Sequence, residues 1–290
     1  MATWNFAVVG TVRNVAKCVE HDIQLIKDVL DPLGNVHFHL IESDSEDKTI
    51  EVLSGLRKQI PQFDYTSLGE LKTQIPNRIE RLIFCRNAYV GKLREIIQES
   101  NIQIVVVADL DGINTKLQTR TVEQAAQNLR DWSAVCANQM GRYYDLLALR
   151  HKYWCPNNVF DEFQWLEGFI DPKHAKKLAV YNRMIRIPIN SGMIEVDSAF
   201  GGFALYRSQL FLDSDYSRQP QDSYSDNEHV ILCRRIRERG GQICIDSNLI
   251  NGGWNHHSLA SVGIFRLISL LKDYLKISFS LLIKKVHPTN

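Results

Sequence analysis

The sequence predicts an α/β protein in which helices flank a mixed, mostly parallel β-sheet. Strand-like apolar runs alternate with amphipathic helical segments along the first half of the chain, and turn residues follow each apolar run. A chain of 290 residues can bury one large core of this kind with an appendage. In a parallel sheet, ligands bind beyond the carboxyl ends of the strands, so we expect the functional residues there.

The first elements follow in β-α-β-α order. Residues 6–10 (FAVVG) predict the first strand, and the apolar side chains of residues 18–34 repeat at helical spacing up to a glycine stop. Residues 35–49 begin with alternating apolar side chains, typical of a strand, and end in an acidic, serine-rich turn. The next helix is expected to begin within residues 49–56.

A helix predicted over residues 77–99 carries one charged residue on its apolar face. Arg86 follows Ile83 by three residues and precedes Val90 by four, so all three share one side of the helix. A buried guanidinium without a partner is costly. Two partners fit: an internal carboxylate, or an anion such as a diphosphate at the sheet edge.

The second half predicts more strands around the middle of the sheet. Residues 104–108 form an apolar run, a polar helix follows at 121–130, and residues 132–139 and 142–150 predict two strands joined by a short turn. Residues 151–165 are rich in aromatic residues and asparagine, which favours a pocket wall or a lid over a helix.

The last predicted elements end the main domain. Residues 199–207 predict a strand hinged at two glycines, and residues 226–246 predict a helix with a Gly-Gly stop before the final strand. Residues 258–290 form a basic amphipathic tail. This tail could pack on the domain, join a dimer partner, or lie on a membrane surface.

Charge and cysteine content exclude several classes of protein. The 34 basic and 33 acidic residues nearly cancel, so no overall field favours nucleic acid. The six cysteines show no C-x-x-C spacing, and Cys85, Cys136 and Cys244 lie in apolar stretches, which predicts core positions in a reducing compartment. With no secretory signal or membrane span recognisable, we expect a cytoplasmic protein, with peripheral contact to the inner face of a membrane as one option.

The stretch "IVVVADLDGIN" at residues 104–114 delivers two carboxylates to the end of a strand. In one chemistry, Asp109 would attack a phosphate. "DLDGIN" resembles the "DxDGT" motif of haloacid-dehalogenase-type phosphatases, but Ile113 departs from that motif, which normally opens the catalytic domain. In the other chemistry, Asp109 and Asp111 would hold Mg²⁺ or Mn²⁺ against a nucleotide diphosphate.

The second chemistry is supported by a broader resemblance. Over residues 5–257 the sequence resembles glycosyltransferases of the GT-A (Rossmann-like) fold, and residues 1–257 would form that domain. Besides the Asp109-Leu110-Asp111 motif, the similar stretches are "IESDSEDKT", "RLIFCRNAYV", "YYDLLALR", "GGFALYR" and "DNEHVILCRRIRERGGQICID". The family's polysaccharide and surface-glycan enzymes transfer a sugar, often a hexose, from a nucleotide-diphosphate sugar.

The resemblance implies roles for particular residues. The nucleotide sugar would contact Thr11, Arg13, Glu42, Ser43, Asp44, Arg86, Asn87, Asp109, Leu110 and Asp111. The metal would be held by Asp109, Asp111 and one of two adjacent histidines, preferably His256. The acceptor and sugar pocket would contain Tyr153, Trp154, Trp165, Gly201, Gly202 and His229.

Catalysis would depend on Asp111 and Glu228. The family commonly has Glu-Asp before the last helix, whereas this chain has Asn227-Glu228-His229. Glu228 would be the general base of an inverting enzyme, would orient a substrate in a retaining enzyme, or would only begin a helix.

The implied function is a Mg²⁺- or Mn²⁺-dependent glycosyltransferase acting on a hydroxyl of a glycan or glycolipid, with no nucleic acid partner. Three alternatives stay open: a phosphatase with Asp109 as nucleophile, a metal-dependent nucleotidyltransferase, and a non-catalytic sugar-binding module. The last would have no use for Asp109 and Asp111 together.

Overall fold

The computed structural model describes residues 3–253, except for the side chains of residues 98 and 99. Its strands are β1 (Trp4–Val12), β2 (Gly34–Glu42), β3 (Phe63–Ser67), β4 (Ile104–Ala108), β5 (Ala134–Gln139), β6 (Met193–Val196), β7 (Phe203–Arg207) and β8 (Ile243–Gly252). Its helices are α1 (Val19–Leu30), α2 (Thr49–Gln59), α3 (Arg78–Ser100), α4 (Thr119–Asn128), α5 (Val159–Glu167), α6 (Pro172–Ala179), α7 (Ser208–Leu212) and α8 (Glu228–Glu238).

The strands form one sheet in the order β3-β2-β1-β4-β7-β5-β8-β6. Strands β1 to β4 pair in parallel with one another, and β5 pairs in parallel with β8. Strands β7 and β6 run in the opposite direction. The predicted fold class, a mixed and mostly parallel sheet flanked by helices, is confirmed.

Apolar side chains fill both faces of the sheet. Every residue of β4 is buried, because alternate side chains point into two separate layers of core. One layer packs Val105 and Val107 against α3 residues such as Tyr89, while the other packs Val106 against α1 and α4. The predicted core positions of Cys85, Cys136 and Cys244 are confirmed.

The prediction of a strand over residues 142–150 is wrong. Strand β7 occupies the place beside β5 that this segment was expected to fill, and it pairs with both β4 and β5. Residues 142–150 instead form an irregular segment with one isolated bridge, between Arg150 and Ser198. Buried apolar residues such as Leu146 and Leu149 anchor this segment without a strand ladder.

The expectation that residues 151–165 avoid helix is also wrong. Helix α5 begins at Val159, and the side chain of Asn158 caps it by accepting a hydrogen bond from the backbone N–H of Phe160 at 2.9 Å. Asparagine and the preceding proline therefore mark the start of a helix here. The sequence analysis also did not identify β3, β6 and α6.

Within residues 3–253, no helix combines the length and the apolar character that crossing a bilayer requires. The predicted amphipathic tail, residues 258–290, and the proposed domain boundary before it lie outside the described residues.

Two glycines with positive φ test how tightly the centre of the sheet is packed. A Cβ on Gly201 (φ 74°) would lie 2.6 Å from the backbone oxygen of Ala137, whereas a Cβ on Gly192 (φ 81°) meets nothing within 4 Å. Alanine at either site carries the left-handed backbone cost of about 1–2 kcal/mol. We expect Gly201→Ala to lower the free energy of unfolding by about 1–3 kcal/mol more than Gly192→Ala does, because the added methyl group at position 201 also overpacks the core. Denaturant unfolding measures both losses. Equal losses would contradict the close approach.

Candidate active-site cleft

A cleft of about 990 Å³ lies where the carboxyl ends of β1, β2 and β4 meet. The loops after these strands and the amino end of α8 line it. Ten of the residues singled out in the sequence line this cleft: Thr11, Arg13, Ser43, Asp44, Arg86, Asp109, Leu110, Asp111, Glu228 and His229. The sheet therefore brings together residues that are more than two hundred positions apart in the chain.

Buried amide side chains hold the Asp109–Gly112 turn. The side chain of Asn114 donates to the backbone oxygen of Asp109 at 2.6 Å, and that of Asn251 donates to Asn114 Oδ1 at 2.9 Å and to the backbone oxygen of Gly201 at 2.8 Å. The backbone N–H of Asp109 in turn donates to the Gly202 carbonyl at 2.9 Å. This network fixes the turn after β4 to the turn before β7 and to the end of β8.

A buried carboxylate on α1 supports the same turn. Asp22 Oδ2 accepts the backbone N–H of Gly112 at 2.8 Å. Burial raises the pKa of Asp22, the Gly112 hydrogen bond works in the opposite direction, and the charge of Asp111 adds to the increase. The turn that carries Asp109 and Asp111 is thus held from both of its ends.

Several carboxylates share the floor of the cleft. Burial raises the pKa of Asp109 to about 7, against the opposing effect of Arg86 and together with the negative charges of Asp111 and Asp145. Burial also raises the pKa of Asp145, although that carboxylate accepts the backbone N–H of Gly201 at 2.9 Å. This crowding of like charges favours the binding of a cation or a proton.

Arg86 and Glu228 form a buried ion pair at the back of the cleft. Arg86 Nε lies 3.2 Å from Glu228 Oε1, and both side chains are at least 95% buried. Arg86 also donates to the hydroxyl of Tyr89 at 3.1 Å. Burial acts to lower the pKa of Arg86, but Tyr89, Glu228 and other negative groups outweigh it, so its pKa is raised and the guanidinium stays charged. The sequence left two possible partners for Arg86, an internal carboxylate or a bound anion. The structure shows the internal carboxylate, that of Glu228.

Polar atoms beside this pair lack hydrogen bonds within the protein. Among residues 3–253, Glu228 Oε2 and both ring nitrogens of His229 are buried and have no hydrogen-bond partner. The His229 ring stacks on Phe200 with centroids 3.8 Å apart, and burial, together with the charge of Arg86, lowers its pKa well below its usual value. The imidazole of His229 is therefore held neutral, and it lies with one carboxylate oxygen among buried polar atoms that the described residues leave without hydrogen bonds.

The opposite wall of the cleft is basic. Asp44, with a positive φ of 58°, accepts the backbone N–H of Lys72 at 2.8 Å and lies 3.8 Å from Arg81. Arg13 donates from Nε to the backbone oxygen of Asp44 at 3.1 Å. Arg78 is exposed on the wall, and no ion pair joins it to any described residue.

Some predicted site residues lie elsewhere. Glu42 is buried behind the cleft, where it accepts hydrogen bonds from Ser45 and Ser67, and Asn87 accepts the backbone N–H of Tyr216. The remaining predicted residues outside the cleft lining are Tyr153, Trp154, Trp165, Gly201 and Gly202. Tyr153 and Trp165 are 81% and 65% exposed, and Trp165 lines a separate surface hollow beside Asn157. Gly201 and Gly202 form the turn directly behind the cleft.

The donor set fits a divalent cation that also binds phosphate. Asp109 and Asp111 supply carboxylate oxygens, the ligands that Mg²⁺ and Mn²⁺ prefer. Among the described residues, no group of three or more Asp, Glu, His or Cys side chains could enclose a metal ion. The remaining ligands would thus come from phosphate oxygens, from water, or from His256, which lies outside the described residues.

The sequence analysis missed three residues that shape the site. Asp145 lines the cleft from the segment that was predicted as a strand, while Asp22 and Asn114 hold the turn from behind. Asp145 stood in the quoted stretch "YYDLLALR", where an acidic residue inside an apolar run was a usable signal. Nothing in the sequence distinguishes Asp22 from an ordinary exposed helix residue.

Comparison with known proteins gives distant structural neighbours only. No protein-family model matches the chain, and no curated protein is significantly similar to it. TarS 1–349 of S. aureus aligns over 91% of this chain and 64% of its own, with 10% identity and a TM-score of 0.43. Its complex with UDP-GlcNAc aligns over 88% and 60%, with 10% identity and a TM-score of 0.44. The mannosyltransferase PcManGT from Pyrobaculum calidifontis, in complex with GDP-Man and Mn²⁺, aligns over 83% and 56%, with 16% identity and a TM-score of 0.44. The chain thus spans less than two thirds of the length of each.

The raised pKa of Asp109 predicts a pH-dependent loss of stability in the presence of EDTA. Since the folded pKa of about 7 exceeds the usual value, the unfolded chain releases its proton first, and stability falls as pH rises from about 4 to 7. Asparagine stays neutral throughout. Relative to the unmodified protein, we therefore expect the free energy of unfolding of Asp109→Asn to rise by about 2–4 kcal/mol as the pH increases from 5 to 8.

Thermal unfolding at the two pH values measures this gain. Asp28→Asn removes an exposed carboxylate of α1 and serves as the control for the change in net charge. Mn²⁺ should reduce the gain at pH 8, because a bound cation favours the ionised carboxylate. A gain that is the same at both pH values would show that Asp109 is ionised throughout.

Proposed function

We propose that the protein is a metal-dependent glycosyltransferase of the GT-A type, which transfers a sugar from a nucleotide-diphosphate sugar to a hydroxyl of a glycan or glycolipid. The observation that carries this proposal is the placement of Asp109 and Asp111 at the carboxyl edge of the sheet, between a basic wall and a set of unpaired buried polar atoms. The cleft volume of about 990 Å³ is also large enough for a nucleotide and a sugar.

Asp109 and Asp111 would hold Mn²⁺ or Mg²⁺, which supplies positive charge to the diphosphate as the glycosidic bond breaks. Asp109 is fixed by its backbone hydrogen bonds to Gly202 and Asn114, so its carboxylate is positioned before any ligand binds. Asp111 is exposed to the cleft and can move to meet the ligand.

Arg78 and Arg13 are better placed than Arg86 to bind the diphosphate. The charge of Arg86 is already matched by Glu228 at 3.2 Å, so a second anion would have to compete with a buried carboxylate. Arg78 is exposed on the cleft wall and has no ion pair within the described residues. We therefore revise the role expected for Arg86: it holds Glu228 in position, while the exposed arginines bind the leaving group.

Glu228 and His229 are suited to bind a sugar hydroxyl. A hydroxyl can donate a hydrogen bond to Glu228 Oε2 and accept one from the neutral His229 ring at the same time. Both atoms are buried and have no partner among residues 3–253, so a ligand that lacked such a hydroxyl would leave them unsatisfied. Leaving such groups unpaired is costly and supports selection for a polyhydroxylated ligand.

Two carboxylates could take the proton from an acceptor hydroxyl in an inverting reaction. Glu228 is held in position by Arg86 at 3.2 Å. Asp145 lines the same cleft, and burial raises the pKa of its carboxyl group, which favours its action as a base. The stereochemical outcome decides whether either role is needed.

Asp111→Asn tests the metal site directly. Removing one of two carboxylate ligands should weaken metal-dependent binding of nucleotide sugars by at least about 10–100-fold, because outer-shell changes alone have effects of that size. Titration of GDP- and UDP-sugars with Mn²⁺ or EDTA measures the binding, and Asp131→Asn, an exposed carboxylate remote from the cleft, is the control.

The reaction products separate the alternatives. Release of a nucleoside diphosphate with a glycosylated acceptor supports the proposed transferase, whereas release of pyrophosphate would indicate a nucleotidyltransferase. Hydrolysis of phosphate esters through a phosphoaspartate at Asp109 would replace the proposal with a phosphatase. Nucleotide-sugar binding that is unaffected by both EDTA and Asp111→Asn would refute the metal site.

Glu228→Gln and Asp145→Asn distinguish the two candidate bases. Each substitution preserves shape but removes the basic group, so for an inverting enzyme the true base should lower kcat by about 10²–10⁴-fold with little change in donor affinity. The other substitution should mainly change KM. If both variants retain near-normal kcat, the reaction does not use a carboxylate base, and a retaining mechanism follows.

A further inference from the structure

A second hollow lies on the other side of α5 from the cleft. It has a volume of about 790 Å³, and no described residue lines both the hollow and the cleft. The helical residues that line it are Asp161, Glu162 and Trp165 on α5 and Val230, Arg234 and Arg237 on α8. These positions recur at helical spacing on one face of each helix, and on α5 that face is opposite the one that carries Phe160 and Phe163 into the cleft. We call this space the α5–α8 hollow.

The arginines of the α5–α8 hollow are all engaged in ion pairs. The carboxylate of Asp226 lies 2.8 Å from Arg234 and 3.2 Å from Arg150. Arg237 lies 2.8 Å from Asp197. These three arginines are the basic residues of the lining, and its four carboxylates outnumber them. An anionic ligand would have to compete with a carboxylate for each guanidinium, so the hollow disfavours a phosphate or another acidic group.

The other two carboxylates of the hollow also have partners. Glu162 pairs with Arg183 at 2.6 Å, and Asp161 accepts the hydroxyl of Ser225 at 2.6 Å. One exposed carboxylate without an ion pair is a weak attraction for a cation. A carboxylate has about four acceptor positions and a guanidinium has five N–H donors, so these paired groups still have capacity for neutral hydroxyls.

An exposed tryptophan supplies the apolar part of the hollow. Trp165 is 65% exposed, and its ring lies beside that of Phe169, with centroids 5.0 Å apart. No hydrogen bond joins its indole N–H to any described residue. The exposed side chain of Asn157, which also lines the hollow, likewise has no hydrogen-bond partner within residues 3–253. A flat apolar face, an N–H donor and an amide are therefore available at one place.

This combination matches a neutral saccharide. One face of a sugar ring carries C–H groups, which can pack on an aromatic ring, and its hydroxyls both donate and accept hydrogen bonds. An apolar ligand would leave the polar groups of the hollow without partners, and an anionic ligand would compete with the ion pairs. A neutral, polyhydroxylated ligand avoids both costs.

The hollow and the cleft share two walls. On α5, Phe160 lines the cleft and Asp161 lines the hollow, and the same change of side occurs between Asp226 and Asn227 at the start of α8. An α-helix with its side chains is about 10–12 Å across. A ligand in the hollow is therefore separated from the cleft by the thickness of one helix.

We propose that the α5–α8 hollow is a second ligand site, separate from the cleft, which binds a neutral saccharide with one sugar ring stacked on Trp165. This site stands on the lining of the hollow alone and does not require the proposed function. If the proposed function also holds, the hollow would bind a part of a glycan acceptor that is remote from the reacting hydroxyl.

Calorimetric titration of the full chain with oligosaccharides tests this proposal. The neutral probes are maltohexaose, laminarihexaose, mannohexaose and N-acetylchitohexaose, and the acidic probe is hexagalacturonate. At least one neutral probe should bind, and bind more tightly than hexagalacturonate. Trp165→Ala should lower the affinity for that probe about tenfold or more, because it removes the stacking face. Asn157→Ala should lower it about two- to tenfold, which is the contribution of an ordinary hydrogen bond.

A matched control removes an exposed aromatic ring elsewhere. Tyr153 is 81% exposed and lines neither the hollow nor the cleft, so Tyr153→Ala should leave oligosaccharide binding unchanged. Thermal unfolding of every variant shows that it is folded. Binding of UDP-GlcNAc and GDP-Man with Mn²⁺ should be the same in all variants, because none of the altered residues lines the cleft. A failure of the saccharide site is thereby separated from a failure of the proposed function.

Three results would overturn the proposal. The first is an unmodified protein that binds none of the neutral probes with a Kd below about 10 mM. The second is binding that Trp165→Ala retains in full, which would place the saccharide in the cleft or on another part of the chain. The third is tighter binding of hexagalacturonate than of every neutral probe, which would make the hollow a site for anions.

Discussion

The buried ion pair between Arg86 and Glu228 is the interaction on which the site depends. It joins the middle of α3 to the first residue of α8 across 142 positions of sequence. Removing either partner leaves a buried charge, at a cost of about 3–5 kcal/mol. The pair also leaves Glu228 Oε2 without a partner among the described residues. One contact thus joins α3 to α8 at the back of the cleft.

A second set of constraints fixes the turn that carries Asp109 and Asp111. Asn114 is a buried amide that donates to the Asp109 carbonyl after β4, and Asn251 and Gln139 are buried amides that both donate to the Gly201 carbonyl before β7. These hydrogen bonds form only when β4, β5, β7 and β8 are in register, so the polar network exists only in the folded sheet. The two carboxylates are consequently presented by a turn whose backbone is fixed by hydrogen bonds.

Acidic, basic and apolar side chains lie on different sides of the cleft. Carboxylates lie on the floor, arginines lie on the wall formed by α3 and the loop after β1, and α5 supplies apolar side chains. Under the proposed function, the basic wall would bind the anionic end of the ligand and the floor would bind its hydroxyls or a cation.

The sequence by itself determined the alternation of strands and helices and the position of the two aspartates, because apolar periodicity and turn residues act locally. It also showed that Arg86 needs an anionic partner, since its place on an apolar face is a local fact. Tertiary structure decided which anion that is, because Glu228 reaches Arg86 only after the sheet has assembled. It likewise placed β7 between β4 and β5, which left residues 142–150 outside the sheet and delivered Asp145 to the cleft. Such choices depend on strand pairing between distant segments, and local sequence patterns do not encode which strands become neighbours.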